Sequence, residues 1–339
     1  MAFFRDVLNP WRIIKMLFLV FLILGIISTI YFFTGEVDST ENTVFGVTFS
    51  QKFAEEMRLD WKGVYLAMLD DLGIRKMRLV AYWEKVEPEE NNYYFEDLDW
   101  QIREAEKRGV EIVLAIGRRL PRWPECHSPK WAESLTEDQQ REKILEVIRR
   151  VVDRYKNTRA VKVWQIENEP FLKSFGICPP FDEGFLDMEI ALARLTDPQK
   201  RPIMLTASGE LSSWIEPAFK ADILGTSLYR TIWNEMIGHF TYPIPSVFYH
   251  KRTQMVKWVT GIDKIFISEL QAEPWGPKMI WETPIEGQNK SMTLADFKEV
   301  LEYTKKTGFD EVYLWGVEWW YRRKIDGDDS FWKVAEELF

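Results

Sequence analysis

The sequence predicts an α/β protein closed into a (β/α)8 (TIM) barrel and preceded by a single N-terminal transmembrane helix. Three observations predict it. Short β-branched runs alternate eight times with amphipathic stretches. Several of those stretches end in a glycine that turns the chain into the next run. Met16 to Phe33 is 18 residues long and holds no charge.

The apolar segment comes first. With Ile13 and Ile14 below Lys15, whose stem snorkels, it reaches ~20 residues, enough to cross ~30 Å of hydrocarbon as a helix. The alternatives are a buried helix of a soluble protein and a cleaved signal peptide. A signal peptide has an apolar region of ~7–15 residues that ends in small residues, whereas Tyr31, Phe32 and Phe33 close this one. We therefore read residues 1–12 as a cytoplasmic tail, 13–33 as a membrane anchor, 34–42 as a linker and 43–339 as one barrel domain. Arg5, Arg12 and Lys15 precede the span and Glu36, Asp38 and Glu41 follow it. The positive-inside rule then leaves the N-terminus cytoplasmic and the barrel outside the cytoplasm, at the cell membrane. A linker that enters the first strand from the N-terminal face of the barrel predicts a mouth turned away from the bilayer.

The expected strands are Val44–Thr48, Lys76–Val80, Glu111–Ala115, Val161–Ile166, Ile203–Thr206, Ile223–Ser227, Lys264–Ile267 and Glu311–Leu314. Between them the 3.6-residue pattern predicts helices at Trp61–Leu72, Leu98–Lys107, Thr136–Tyr155, Glu183–Leu195, Trp214–Phe219, Val247–Val259 and Leu294–Lys306, with Phe331–Leu338 closing the chain. The segments D-L-G-I (Asp71 to Ile74), K-R-G-V (Lys107 to Val110) and K-T-G-F (Lys306 to Phe309) supply helix stops. A doubly wound open sheet is the alternative, but it calls for a Gly-rich phosphate loop after the first strand, which F-G-V-T-F-S-Q-K-F lacks.

Composition narrows the function. With 44 basic and 53 acidic residues, a net charge of −9, the chain lacks the basic face that nucleic acid requires. Three histidines without H-x-H or H-E-x-x-H spacing suggest no metal site, and the sequence suggests no cofactor. No G-x-S-x-G is present. The 16 tryptophans of 339 residues are in excess, and suit either an aromatic core or a surface that stacks sugar rings.

In a barrel of this kind the chemistry sits at the C-terminal ends of the strands. The fourth strand runs into W-Q-I-E-N-E-P (Trp164 to Pro170) and the seventh into I-F-I-S-E-L-Q-A-E-P-W (Ile265 to Trp275). Strict period-two alternation would put Gln165, Glu167 and Glu169 on one side and Asn168 on the other. Opposed strands 4 and 7 allow Glu169 and Glu269 to face each other across the mouth. Such a pair suits glycoside hydrolysis, one carboxyl protonating the leaving oxygen and the other meeting the developing oxocarbenium ion.

W-Q-I-E-N-E, together with W-E-K-V-E-P-E-E-N-N-Y-Y-F-E-D-L-D (Trp83 to Asp99) after strand 2, resembles glycoside hydrolase clan A, the retaining (β/α)8 enzymes, and its β-galactosidase-type members. The resemblance implies Glu169 as acid/base and Glu269 as nucleophile. It further implies Asn168 as the contact to a substrate hydroxyl, Arg78 as the cation that holds the nucleophile ionised, Tyr229 as its orienting residue and Trp315 as the aromatic floor under the sugar. Trp83 and Trp275 join Trp315 among the tryptophans expected to line the substrate. Glu273 competes for the nucleophile's role, and Glu167 is expected to support the site rather than act as the acid. Arg118, Arg119 and Arg122 exceed the family's pattern, which suggests either salt bridges to rim acids or recognition of an acidic glycan. Cys126 and Cys178 lie in neighbouring loops, where they either pair or remain separate thiols. The expected function is a membrane-anchored glycosidase acting on an oligo- or polysaccharide; the alternative is a catalytically silent carbohydrate-binding barrel.

Overall fold

A computed structural model describes residues 10–38 and 42–339, so most of the expected cytoplasmic tail and the centre of the expected linker lie outside the described residues. Helix α1 (Pro10–Phe33) is long and apolar enough to cross a membrane, and a signal sequence would meet the same test. None of its residues is buried. Its last turn rests on the barrel's flank: the rings of Phe32 and Phe33 lie 5.9 and 5.4 Å from that of Phe248.

The barrel follows. Strand β1 (Val44–Thr48) leads through α2 (Gln51–Glu56) and α3 (Trp61–Asp70) to β2 (Lys76–Val80). Helices α4 (Trp83–Val86) and α5 (Glu96–Lys107) lead to β3 (Glu111–Ile116), and α6 (Glu137–Tyr155) leads to β4 (Val161–Ile166). Helix α7 (Glu183–Thr196) precedes β5 (Ile203–Ala207), and α8 (Ile215–Lys220) precedes β6 (Ile223–Leu228). A hairpin, β7 (Thr231–Asn234) and β8 (Gly238–Thr241), is inserted before α9 (Ser246–Thr260) and β9 (Lys264–Gln271). Helices α10 (Ile285–Gln288) and α11 (Leu294–Lys305) lead to β10 (Glu311–Trp315), and α12 (Val317–Ile325) and α13 (Ser330–Glu336) end the chain.

Eight parallel strands close in the order β1-β10-β9-β6-β5-β4-β3-β2. Each expected strand is present, and the predicted helix stops at Gly73, Gly109 and Gly308 have φ of 70°, 68° and 78°, which a side chain rarely tolerates. Helix α6 starts on a capping box between Thr136 and Gln139, which satisfies two backbone N–H groups that a helix start leaves open. Helices α2, α4, α10 and α12 and the β7–β8 hairpin were not expected; each is too short to carry the pattern through several repeats.

One large core fills the space between strands and helices. A second, of Val113, Val163, Met204, Ile223, Phe266 and Tyr313, draws only on strands and fills the barrel's interior. Two residues further along β4 and β5 the same inward face turns polar, with Gln165 and Thr206, both buried. Apolar packing thus forms the floor on which a polar site is built.

Candidate active site

The two expected glutamates converge, but not by regular alternation. After Ile166 the chain leaves strand geometry: Glu167 has φ 55° and Glu169 φ 44°, both left-handed, with Asn168 between them. Each such residue reverses the local direction of the backbone, so period two fails here and the side chains of Asn168 and Glu169 both turn toward the mouth. On the opposite wall, β9 carries one extra residue. Ile267 pairs with Thr226 and Glu269 with Ser227, and on the other side Ile267 pairs with Val312 and Leu270 with Leu314. This bulge at Ser268 aims Glu269 inward, and it lets the strand run four residues past the predicted end.

Arg78 organises the floor from β2. Fully buried, its guanidinium donates to Glu269 Oε1 at 2.7 Å, to Asn168 Oδ1 at 2.6 Å and to Gln165 Oε1 at 2.7 Å. Tyr229, just beyond β6, donates its hydroxyl to Glu269 Oε2 at 3.2 Å. Both oxygens of Glu269 are therefore fixed. Arg78 is enclosed behind the side chains it holds, and so is placed to position them rather than to touch substrate.

Arg78 makes its ion pair with Glu269 and not with Glu169. The Glu169 backbone N–H donates to Thr206 Oγ1 at 2.7 Å, and Thr206 in turn donates to Asn168 Oδ1 at 3.1 Å. Burial, then the charge of Glu269, then that of Glu125 hold the Glu169 carboxyl well above the ordinary carboxylate range. A pair of carboxyls in which one is clasped by Arg78 and the other is desolvated is equipped to separate nucleophile from acid.

Glu125 is a site residue that sequence reasoning missed. It lies in the loop after β3 with φ 73°, accepts from Asn168 Nδ2 at 3.1 Å, and is pushed up to about 8 by burial and by the charge of Glu269. The P-E-C-H segment gives no periodic signal; its one sequence clue is the neighbouring Cys126. The structure pairs Cys126 with Cys178, Cα atoms 5.3 Å apart, which joins the loops after β3 and β4 beside Glu125.

The remaining expectations divide. Glu273 accepts from Arg122 and from the Trp315 indole N–H at 2.8 Å, so it is engaged in a buried ion pair away from Glu269's partners. Arg122 also reaches Glu318 at 2.9 Å and lies over the rings of Phe53 and Trp315, 3.6 and 4.1 Å from their centroids. Trp315 thus keeps its place at the end of β10 with Arg122 covering one face. Arg118 bonds Glu137 at 2.7 Å and Arg119 donates to the Phe175 carbonyl at 2.9 Å. Arg118 and Arg122 are thus in salt bridges, and Arg119 keeps a buried Nε without a partner. Glu167 accepts from the backbone N–H groups of Arg118 and Arg119 at 2.6 and 2.7 Å, tying the two loops together as a supporting residue.

Trp83 is a correction. It is fully buried, donates to Glu87 Oε2 at 2.9 Å and packs edge-on against Trp131, so it belongs to the core and presents no face to a sugar. Trp275 does face the mouth. Its ring lies 5.2 Å from that of Tyr229 and 5.8 Å from that of Phe175, which continues to the half-exposed Trp123 at 5.9 Å. These four rings make an aromatic wall that begins beside Glu269.

Known proteins share this fold. The chain superposes on a β-galactosidase from the Antarctic haloarchaeon Halorubrum lacusprofundi with a TM-score of 0.55 at 17% identity, over 80% of this chain and 52% of that one. A β-galactosidase from Rahnella sp. R3 gives 0.59 at 14% identity, over 90% and 56%. A GH5_18 protein from Bifidobacterium longum gives 0.57 at 13%, over 81% and 70%. At such identities the likeness is one of fold, and the chain spans about half the length of the β-galactosidases it matches. No curated protein matches it in sequence. The sequence profile of the Glyco_hydro_42 family, described as β-galactosidase, matches residues 60–140 and 132–259, well over half the chain. Barrel, strand-end glutamates and profile agree: the chain belongs to the glycoside hydrolase 42 β-galactosidase family.

Proposed function

We propose that this chain is a glycosidase that cleaves O-glycosidic bonds with retention of configuration, Glu169 serving as acid/base and Glu269 as nucleophile. The observation that supports it most is the unequal setting of the two carboxyls: Glu269 is bonded at both oxygens by Arg78 and Tyr229, while Glu169 is desolvated and held well above the ordinary carboxylate range. In the first step a Glu269 oxygen attacks the anomeric carbon as Glu169 gives its proton to the departing glycosidic oxygen. In the second, water gives a proton to Glu169 and displaces Glu269, which regenerates both groups. Trp275 and its aromatic neighbours stack the sugar, and Asn168 bonds one of its hydroxyls. The family description makes β-galactosides the first substrates to assay.

We read α1 as a membrane anchor with the N-terminus cytoplasmic, on the strength of its length, its lack of charge and the basic residues that precede it. The test is Glu169→Ala and Glu269→Ala on a panel of aryl glycosides with added azide. Azide should rescue both variants, Glu169→Ala giving the glycosyl azide of retained configuration and Glu269→Ala that of inverted configuration. Wild-type protein that binds sugars but turns over none of the panel would replace this reading with a carbohydrate-binding barrel.

A further inference from the structure

The seat of α1 bears on which part of the barrel meets the bilayer. Besides the Phe248 contact, Lys251 donates to the carbonyls of Tyr31 and, at 2.8 Å, Thr34, and its ammonium lies 4.5 Å from the Tyr31 ring centroid. A lysine here satisfies carbonyls that a helix C-terminus leaves open, so the end of α1 is clasped to α9. Phe248 and Lys251 belong to the first two turns of α9. In a (β/α)8 barrel those turns lie toward the catalytic face.

Helix α9 has 15 residues and runs ~21 Å to the opposite face. The helix ends there carry Lys257 and Arg194, which pairs with Asp222 just before β6. A bilayer surface level with Tyr31–Thr34 cannot have those charges beneath it, because charge in hydrocarbon is costly. A membrane on the catalytic side of the seat leaves them in water.

On that side the β7–β8 hairpin projects between Tyr229 and α9. Gln271, at the end of β9, holds its base by accepting from Arg230 N and Thr231 N at 2.8 and 2.9 Å and donating to Thr231 O at 2.6 Å. Its tip exposes Met236 by 89% and Ile237 by 63%, with Phe240 at 37% behind them. Glu235 is the only acid or permanent charge between Thr231 and Thr241. Large apolar tips beside aromatic residues are features of membrane-interface contacts.

Resting on the reading of α1 as an anchor, we propose that the β7–β8 hairpin is a second membrane-contacting element. Its Met236–Ile237 tip lies in the headgroup layer of the bilayer that α1 crosses, and the catalytic mouth opens toward that surface. This reverses the orientation expected from where the linker enters β1. The opposite face offers its own exposed apolar residues, Leu195, Phe219 and Trp258, and the test sets the two faces against each other.

Because Cys126 and Cys178 are bonded to each other, a cysteine introduced at Met236 or at Trp258 of the full chain is a single labelling site. Each variant is reconstituted in phosphatidylcholine–phosphatidylglycerol nanodiscs, spin-labelled, and compared for collision with oxygen and with a water-soluble nickel chelate. The expected result is a label at 236 shielded from nickel several-fold more than a label at 258. A label at 236 as accessible as that at 258, or a label at 258 the deeper of the two, overturns the proposal. Alkaline carbonate extraction separates the two readings. Protein released by the wash overturns the anchor and this proposal with it, whereas retained protein with an aqueous position 236 overturns the hairpin contact alone.

Discussion

Asn168 bridges Arg78 and Glu125: its side-chain oxygen accepts from Arg78 Nη2 at 2.6 Å while its amide nitrogen donates to Glu125 Oε2 at 3.1 Å. A carboxyl from the loop after β3 therefore reaches the residue that precedes Glu169, and the orientation of the Asn168 amide is set from both ends.

The bridge has a pH signature. Burial and the charge of Glu269 raise Glu125 from 4.5 to about 8, so between those values the folded state holds a proton that the unfolded chain releases. Its contribution to stability is complete below pH ~4.5 and is lost as pH rises toward about 8, at up to about 1.4 kcal/mol per pH unit. Glu125→Gln removes this titration while keeping an acceptor for Asn168. The melting temperature of the wild type, relative to the variant, should fall from pH 5 to pH 8 and level off above it. A constant difference across that range would contradict the assignment.

Arg78 offers a test of positioning. Arg78→Ala leaves the Glu269 carboxylate buried without its cation, an arrangement that costs about 3–5 kcal/mol in comparable pairs. Arg78→Lys keeps the charge but cannot reach Glu269, Asn168 and Gln165 together. It should fold, bind substrate with KM changed less than threefold, and lose kcat by about a hundredfold, on the scale of a lost electrostatic contact at the reacting centre. Steady-state kinetics beside thermal denaturation separate the two effects.

The two tryptophans once grouped together should part under mutation. Trp83→Ala opens a cavity in the core and should cost about 3–5 kcal/mol of stability. Trp275→Ala should leave stability within about 1 kcal/mol and raise KM severalfold, because a stacking platform binds ground and transition states alike. Denaturant titration and KM measured on both variants distinguish the roles.

Reduction of the disulfide should be felt at the site. Cys126 and Cys178 are 52 residues apart, and closing a loop of that length restricts the unfolded chain by about 4 kcal/mol in the chain-entropy picture. Cys126→Ser with Cys178→Ser should lower the melting temperature and also shift the alkaline limb of the pH–rate profile, since Glu125 is the next residue along. Wild type in reductant should match the double variant in both readouts.

The barrel was legible because its signal is periodic: β-branched runs, amphipathic stretches and glycine stops recur along the chain, and all eight strands fall where those patterns place them. Glu169 and Glu269 were legible because strand ends are where such a barrel does chemistry. The path to them was not. Period two would have turned Asn168 away from Glu169, and only the left-handed backbone at Glu167 and Glu169 brings both in. The Ser268 bulge likewise leaves no mark in I-F-I-S-E-L-Q, where nothing sets the extra residue apart. Trp83 and Trp275 look alike in sequence, because both lie near strand ends; burial depends on which way the following loop turns. Glu125 depends on a loop closed by a disulfide, a contact between segments that no local pattern encodes.

The two backbone N–H bonds that Glu167 accepts from Arg118 and Arg119, the Asn168–Glu125 bond and the Cys126–Cys178 link all join the loops after β3 and β4. For anyone recombining this barrel with relatives, the segments 117–127 and 166–178 are one cassette. Exchanging either alone would pair a foreign loop with a glutamate shaped to its former neighbour, whereas moving both transfers the acid with its scaffold. Changes in sugar preference are then best sought outside the cassette, on the aromatic wall at Trp275.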